Sequence, residues 1–241
     1  VLAVVVVVRH VYVVAGIRNP LFWPSQVAVW AFFVMSAMVL VRAYDGHYFA
    51  FLARRAVRLW PVYCVCLIAA FVAAGRPAWS QLVWFPVPNI TQSIVPSLSL
   101  PPSWSLYIEA WAALMMPVLA WFGRPGLWRM AAILPVWLIL TIIDDRFVWS
   151  IFFLAGARLA GWSPRAALLE TWPCQWLGKI SFSLYLAHWP LLVAFGPVPG
   201  GALCLPVALA VWLLIERPSV ALSRRVASWI SLKPAPIAVA V

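Results

Sequence analysis

Apolar residues fall in long runs, and most of the charge lies in the short connections between them. Eight such runs stand out, at 1–17, 27–41, 59–75, 104–122, 128–143, 147–161, 177–195 and 201–216. A membrane-spanning helix needs about 20 predominantly apolar residues. Several of the runs are near the lower limit, which leaves two of them open to a re-entrant path. Pro61, inside the third run, is compatible with a span because neighbouring helices re-satisfy the freed backbone groups. The pattern predicts an all-α, polytopic bundle of about eight transmembrane helices. With no internal repeat and no long Gly/Ser linker, residues 1–241 read as a single membrane domain. The first run starts directly at Val1, has neither an initiator Met nor a basic leader, and contains Arg9 and His10. It is expected to be a helix whose cytosolic end lies outside the sequence.

Composition agrees with a bilayer environment. Hydrophobic residues make up 66% of the chain and charged residues 10%, against about a quarter charged in soluble domains. The net charge of +11 raises nucleic acid as a partner. The basic residues, however, sit between apolar runs and form no basic face, so nucleic acid is excluded as a partner class. Cys64, Cys66, Cys174 and Cys204 lie in or beside apolar runs without metal-ligand spacing, and no metal is expected.

The distribution of Lys and Arg orients the bundle. If the first helix runs outward, one side holds Arg42, Arg54, Arg55, Arg58, Arg124, Arg129, Arg158, Arg165, Lys179, Arg217, Arg224, Arg225 and Lys233. The other holds Arg18, Arg76 and Arg146, so the first side is cytosolic. Trp23, Trp79, Trp84 and Trp104 then fall near the outer interface, and Trp121, Trp128 and Trp162 near the inner one. The stretch from Arg217 to Lys233 sets Val220, Val226, Trp229 and Ile230 against Arg224 and Arg225. It is expected to be an amphipathic helix on the inner surface.

Ionisable groups inside a bilayer are costly and call for a reason. The imidazole of His10, in the first run, suits a general base; the alternative is a histidine that only hydrogen-bonds a neighbouring helix. Ser105 and Glu109, four apart, share a helix face. Glu109 is placed to orient an imidazole or hold a substrate hydroxyl, while Ser103 reads as a helix cap. Ser181, Tyr185 and His188 form a polar stripe, for which bundle-facing hydrogen bonds are the simpler explanation. His10, Glu109 and His188 are expected at similar depth, in one buried pocket. On the cytosolic side, Arg54 and Arg58 share a face beside Arg55. Arginines bind phosphates well, although a basic cluster there also serves topology and lipid headgroups.

At these residues the chain resembles the acyltransferase-3 family of membrane proteins, which O-acylate cell-surface polysaccharides and related glycans. The segment VVVVRHVY (5–12) is similar to the end of that family's first helix, with its essential His at His10. FFVMSAM (32–38) resembles the motif FFVLSGF, and FLARRAVRLWPVY (51–63) resembles a basic RRxxRxxP block. SWSLYIE (103–109) resembles SWSLxxE, GKISFSLYLAHWP (178–190) resembles GxISYSLYLWHWP, and IERP (215–218) resembles a closing ExP. The resemblance implies a catalytic His10 supported by Glu109, with Arg54, Arg55 and Arg58 on the donor side. Ser36, Ser103, Ser105 and His188 would line the site and bind substrate.

That likeness further implies acetyl-CoA as acyl donor, a glycan or glycolipid acceptor, and a bacterial inner-membrane location among membrane lipids. Glu109 would fix an imidazole, either His10 or His188. Three departures stand out: Ala37 replaces the family's Gly, eight runs replace ten spans, and the basic residue eleven positions before His10 would precede Val1. Two other classes are weighed. A lipid or glycan transporter predicts inverted repeats and matched broken helices, which the sequence lacks. An inactive scaffold derived from the family would keep the fold without the chemistry.

Overall fold

A computed structural model describes residues 2–18, 20–75, 100–143, 145–162 and 170–231. Among them every regular element is helical: α1 (Leu2–Val14), α2 (Phe22–Ala43), α3 (Tyr48–Ala74), α4 (Trp104–Leu114), α5 (Met116–Gly123), α6 (Leu127–Ile143), α7 (Ser150–Arg158), α8 (Trp172–Phe195), α9 (Pro197–Val211) and α10 (Arg217–Ser231). Short 3-10 turns at Pro101–Ser103, Asp145–Trp149 and Leu159–Gly161 join them, and a π-turn at Trp212–Glu216 links α9 to α10. Each of the eight apolar runs falls on this helical framework.

Among the described residues three stretches are long and apolar enough to cross a membrane: α2, α3 and the continuous Pro197–Ile230 helix. The α4–α5 pair makes a fourth if its 72° bend is counted within one span. The chain is therefore a helical membrane protein. Helix α8 also has the length of a span, but it carries Gln175, Lys179, Ser181, Ser183, Tyr185 and His188, so its apolar character is diluted. Helices α1 and α6 are shorter apolar elements.

Proline explains the bend. Pro117 lacks an N–H and its ring opposes the carbonyl four residues back, so the helix through Trp104 breaks at Met115 and restarts as α5. The run at 104–122, read from sequence as one segment, is thus two helices. Pro61 in α3, Pro135 in α6, Pro190 in α8 and Pro206 in α9 are accommodated without a break.

Small residues let the helices approach. A Cβ on Gly156 of α7 would fall against the carbonyl of Val34 and 2.7 Å from Ala37 Cβ, both on α2. Ala37 is fully buried at this crossing. Gly196 turns the chain between α8 and α9 with φ +79, a conformation that favours glycine.

The core has three parts. Phe33, Leu40, Phe51, Met116, Phe122 and Phe153 form one across α2, α3, α5 and α7. Tyr63, Leu67, Leu106 and Leu186 form a second across α3, α4 and α8. Val7, Leu184, Cys204 and Ala208 tie α1 to α8 and α9. Large apolar side chains such as Val72, Leu127 and Ile142 stay exposed on the periphery, where they meet lipid.

One end of the bundle is fastened by arginines. Arg42 Nε donates to Ala160 O at 2.6 Å and its terminal nitrogen to Trp162 O at 2.5 Å. Arg158 donates to Arg124 O at 3.1 Å and Gly126 O at 2.9 Å. Arg54 contacts Asp45 at 3.7 Å and donates to Ala43 O at 3.1 Å. These residues all belong to the side that Lys and Arg mark as cytosolic. The amphipathic helix expected after Arg217 forms as α10. It continues directly from α9, packs along α3, and buries Ser219, Ser223 and Ala227, while Trp229 stays exposed. The small side chains permit that close packing.

Candidate active site

Helices α1 and α8 pack side by side through Val7 and Leu184, and that packing brings two histidines together. His10 Nδ1 and His188 Nε2 are 3.0 Å apart. The rings stack with centroids 5.0 Å apart, and Trp189 closes the other side of His10 edge-on at 5.6 Å. His188 is fully buried, and its Nδ1 faces the Leu184 carbonyl one turn back at 3.3 Å.

These contacts set the tautomers. A carbonyl only accepts, so His188 Nδ1 carries the proton and donates to Leu184 O. His188 Nε2 is then the acceptor for His10 Nδ1–H. The lone pair of His10 stays on Nε2, available as a base or nucleophile. His188 thus positions His10, a role that sequence alone did not separate from lining the site.

Tyr185 lies one turn before His188, with ring centroids 6.1 Å apart. Its hydroxyl contacts Ser105 Oγ at 2.9 Å and donates to Pro102 O at 2.9 Å. Phe32 of α2 stacks on its ring. Ser105 and Glu109 occupy one face of α4, as the four-residue spacing predicts. Glu109 is buried, accepts from Ser36 Oγ at 2.8 Å, and pairs with Arg55. A polar line therefore runs from His10 and His188 through Tyr185 and Ser105 to Glu109, Ser36 and Arg55. Its members come from α1, α2, α3, α4 and α8.

Two sequence expectations need correction. Glu109 orients neither imidazole; among the described residues its partners are Ser36 and Arg55. A buried carboxylate is satisfied best by a charged donor, and α3 delivers one. Arg55 consequently does not stand with Arg54 and Arg58. It is one residue on from Arg54, about 100° around the helix, and turns inward while Arg58 stays exposed. Arg54 is instead held by Asp45 and the Ala43 carbonyl, beside the exposed Arg58.

Ser103 also differs from its reading as a cap. Its backbone is helical, at φ −67 and ψ −13, within the turn that leads into α4, and its side chain makes no capping bond. It is buried beside the site. Ser181 leaves the polar stripe, bonding Gly178 O at 2.8 Å on its own helix. Ser183, on the opposite face of α8, donates to Glu216 Oε2 at 2.6 Å and ties α8 to the π-turn. Tyr185 was visible in the stripe as a polar residue, but nothing in its spacing marked it as the bridge to α4.

Comparison with known proteins adds no relative: no family model, no curated protein and no solved structure matches this chain.

Proposed function

We propose that the chain is a membrane O-acyltransferase of the acyltransferase-3 type. It transfers an acyl group, acetyl in the first instance, from acyl-CoA on the cytosolic side to a hydroxyl of an exported glycan or glycolipid. The setting is a bacterial inner membrane, with the eight apolar runs counting as eight spans. The observation that carries this is the meeting of His10 and His188 at 3.0 Å across 178 residues of chain. Around it gather Ser36, Arg55, Ser105, Glu109 and Tyr185. Every one of these belongs to a segment that resembles the family, and such a gathering inside an apolar bundle has a cost that a mere scaffold has no need to bear.

In this account acetyl-CoA supplies an activated acyl carbon, and the chain does the rest. Arg54 and Arg58 hold the phosphates at the cytosolic end. The polar line gives the thioester arm hydrogen-bonding partners on its way between the helices. His10 Nε2 takes the proton from the acceptor hydroxyl as that oxygen bonds to the acyl carbon. The carbon–sulfur bond breaks, and the proton passes from His10 to the departing thiolate. The same lone pair serves a two-step route in which His10 first accepts the acyl group. Ester analysis of surface glycans from a strain lacking the gene tests the proposal. Loss of one acyl ester, restored by the intact gene and not by a His10→Ala copy, is expected; an unchanged ester profile contradicts it.

A further inference from the structure

Five arginines are partly buried among the described residues: Arg9, Arg54, Arg55, Arg129 and Arg158. Four of them donate to a carbonyl or carboxylate. Arg54 does so to Ala43 O, Arg55 to Glu109, Arg129 to Pro125 O, and Arg158 to Arg124 O and Gly126 O. Arg9 differs from all four. It has no carboxylate or carbonyl partner among the described residues, and its Nε, like those of Arg129 and Arg158, is buried without a hydrogen bond. The guanidinium carbon lies 5.3 Å from the centre of the Phe22 ring.

Position gives this group its meaning. Arg9 precedes His10 in α1 and lies within electrostatic reach of Tyr185, so its charge acts on the reacting end of the polar line. Among the carboxylates whose side chains the structure describes, Asp45 pairs with Arg54, Glu109 with Arg55 and Glu216 with Ser183, and Glu170 lies just before α8; the side chains of Asp144 and Asp145 lie outside the described residues. A guanidinium on an apolar helix, tied to no carboxylate or carbonyl among the described residues, is suited to a bidentate anion.

We propose that Arg9 receives the anionic group of the acyl acceptor, a sugar phosphate or sugar carboxylate. The acceptor hydroxyl would thereby be held beside His10 Nε2. This inference rests on the acyl-transfer proposal for the identity of its ligand, but its test needs no acyl transfer. It gives Arg9 a substrate-selecting role that the resemblance to the acyltransferase-3 family does not carry.

Binding is measured by calorimetry on the full chain in a neutral maltoside detergent. The probes are glucose 6-phosphate and glucuronate, with glucose as the uncharged control. At least one charged sugar is expected to bind and glucose is not. Arg9→Gln should weaken that binding about 10- to 100-fold, the loss of one or two charge-assisted bonds. Arg9→Lys, which keeps the charge and loses the fork, should retain part of it and covers the case in which the Gln variant does not fold. Phosphatidylglycerol in nanodiscs supplies the second arm. If only the lipid binds in an Arg9-dependent way, Arg9 is a headgroup anchor and the inference is overturned. Equal binding of both charged sugars by wild type and Arg9→Gln overturns it too. Thioester turnover measured on the same preparations shows separately whether the acyl-transfer proposal stands.

Discussion

His188 Nε2 lies 3.0 Å from His10 Nδ1, and one hydrogen bond joins the two rings. The pair is directional, because His188 Nδ1–H is committed to the Leu184 carbonyl. A side chain that still accepts from His10 Nδ1–H should preserve the tautomer; one that does not should scramble it. His188→Gln is therefore expected to keep more activity than His188→Leu. The Leu variant should lose about 10²-fold in kcat, the scale of a misplaced catalytic group, with KM for the donor little changed. Nitrogen-15 chemical shifts of His10 check the cause directly. Wild type and Gln should show a protonated Nδ1, and Leu a mixture.

The ion pair between Arg55 and Glu109 makes a prediction about stability. Both side chains are mostly shielded from solvent. Removing one leaves the other buried and unpaired, at a cost of about 3–5 kcal/mol. Arg55→Met and Glu109→Leu should each destabilise by that order, and the double variant by clearly less than their sum. Unfolding in mixed micelles, treated as a double-mutant cycle, measures the difference. Strict additivity contradicts a direct pair.

Arg54 and Arg58 should behave differently from Arg55. Arg54 is half-buried and Arg58 exposed; the acyl-transfer proposal assigns both to phosphates, and each such contact is worth about 1.5–3 kcal/mol. Arg54→Gln and Arg58→Gln should raise KM for acetyl-CoA and leave KM for an uncharged truncated thioester nearly unchanged. A parallel loss with both donors points to disturbed topology instead.

Gly156 marks the closest approach of α2 and α7. An added methyl group meets the Val34 carbonyl and Ala37 Cβ. Backbone cannot yield as a flexible side chain does, so Gly156→Ala should cost about 1–3 kcal/mol. Ala37→Gly, which opens the crossing from the other side, should recover part of that loss when combined with it. Thermal unfolding of the three variants in one detergent tests the coupling.

Much of the fold is legible from chain pattern. The apolar runs predict helices, and Pro61 predicts no break in α3. Arg42, Arg54 and Arg158, three of the basic residues that the sequence places on one side, fasten one end of the bundle. The bend at Met115 is a local consequence of Pro117, but the same residue type leaves α3, α6, α8 and α9 unbroken, so composition does not forecast it. Within the site, the i, i+4 spacing of Ser105 and Glu109 correctly gives one face. What that face meets depends on which helices pack together. Arg55 and Arg54 are indistinguishable in sequence, yet one turns to Glu109 and the other to Asp45. The pairing of His10 with His188 likewise requires the α1–α8 contact, which no local spacing encodes.

The most direct test of the acyl-transfer account follows thiol release from acetyl-CoA by purified protein, with and without His10. Wild type is expected to turn the thioester over and to place the acyl group on the acceptor glycan. His10→Ala should fall by about 10²–10⁴-fold, the usual contribution of a general base, at matched abundance and unchanged membrane insertion. Turnover by His10→Ala at the wild-type rate contradicts the account.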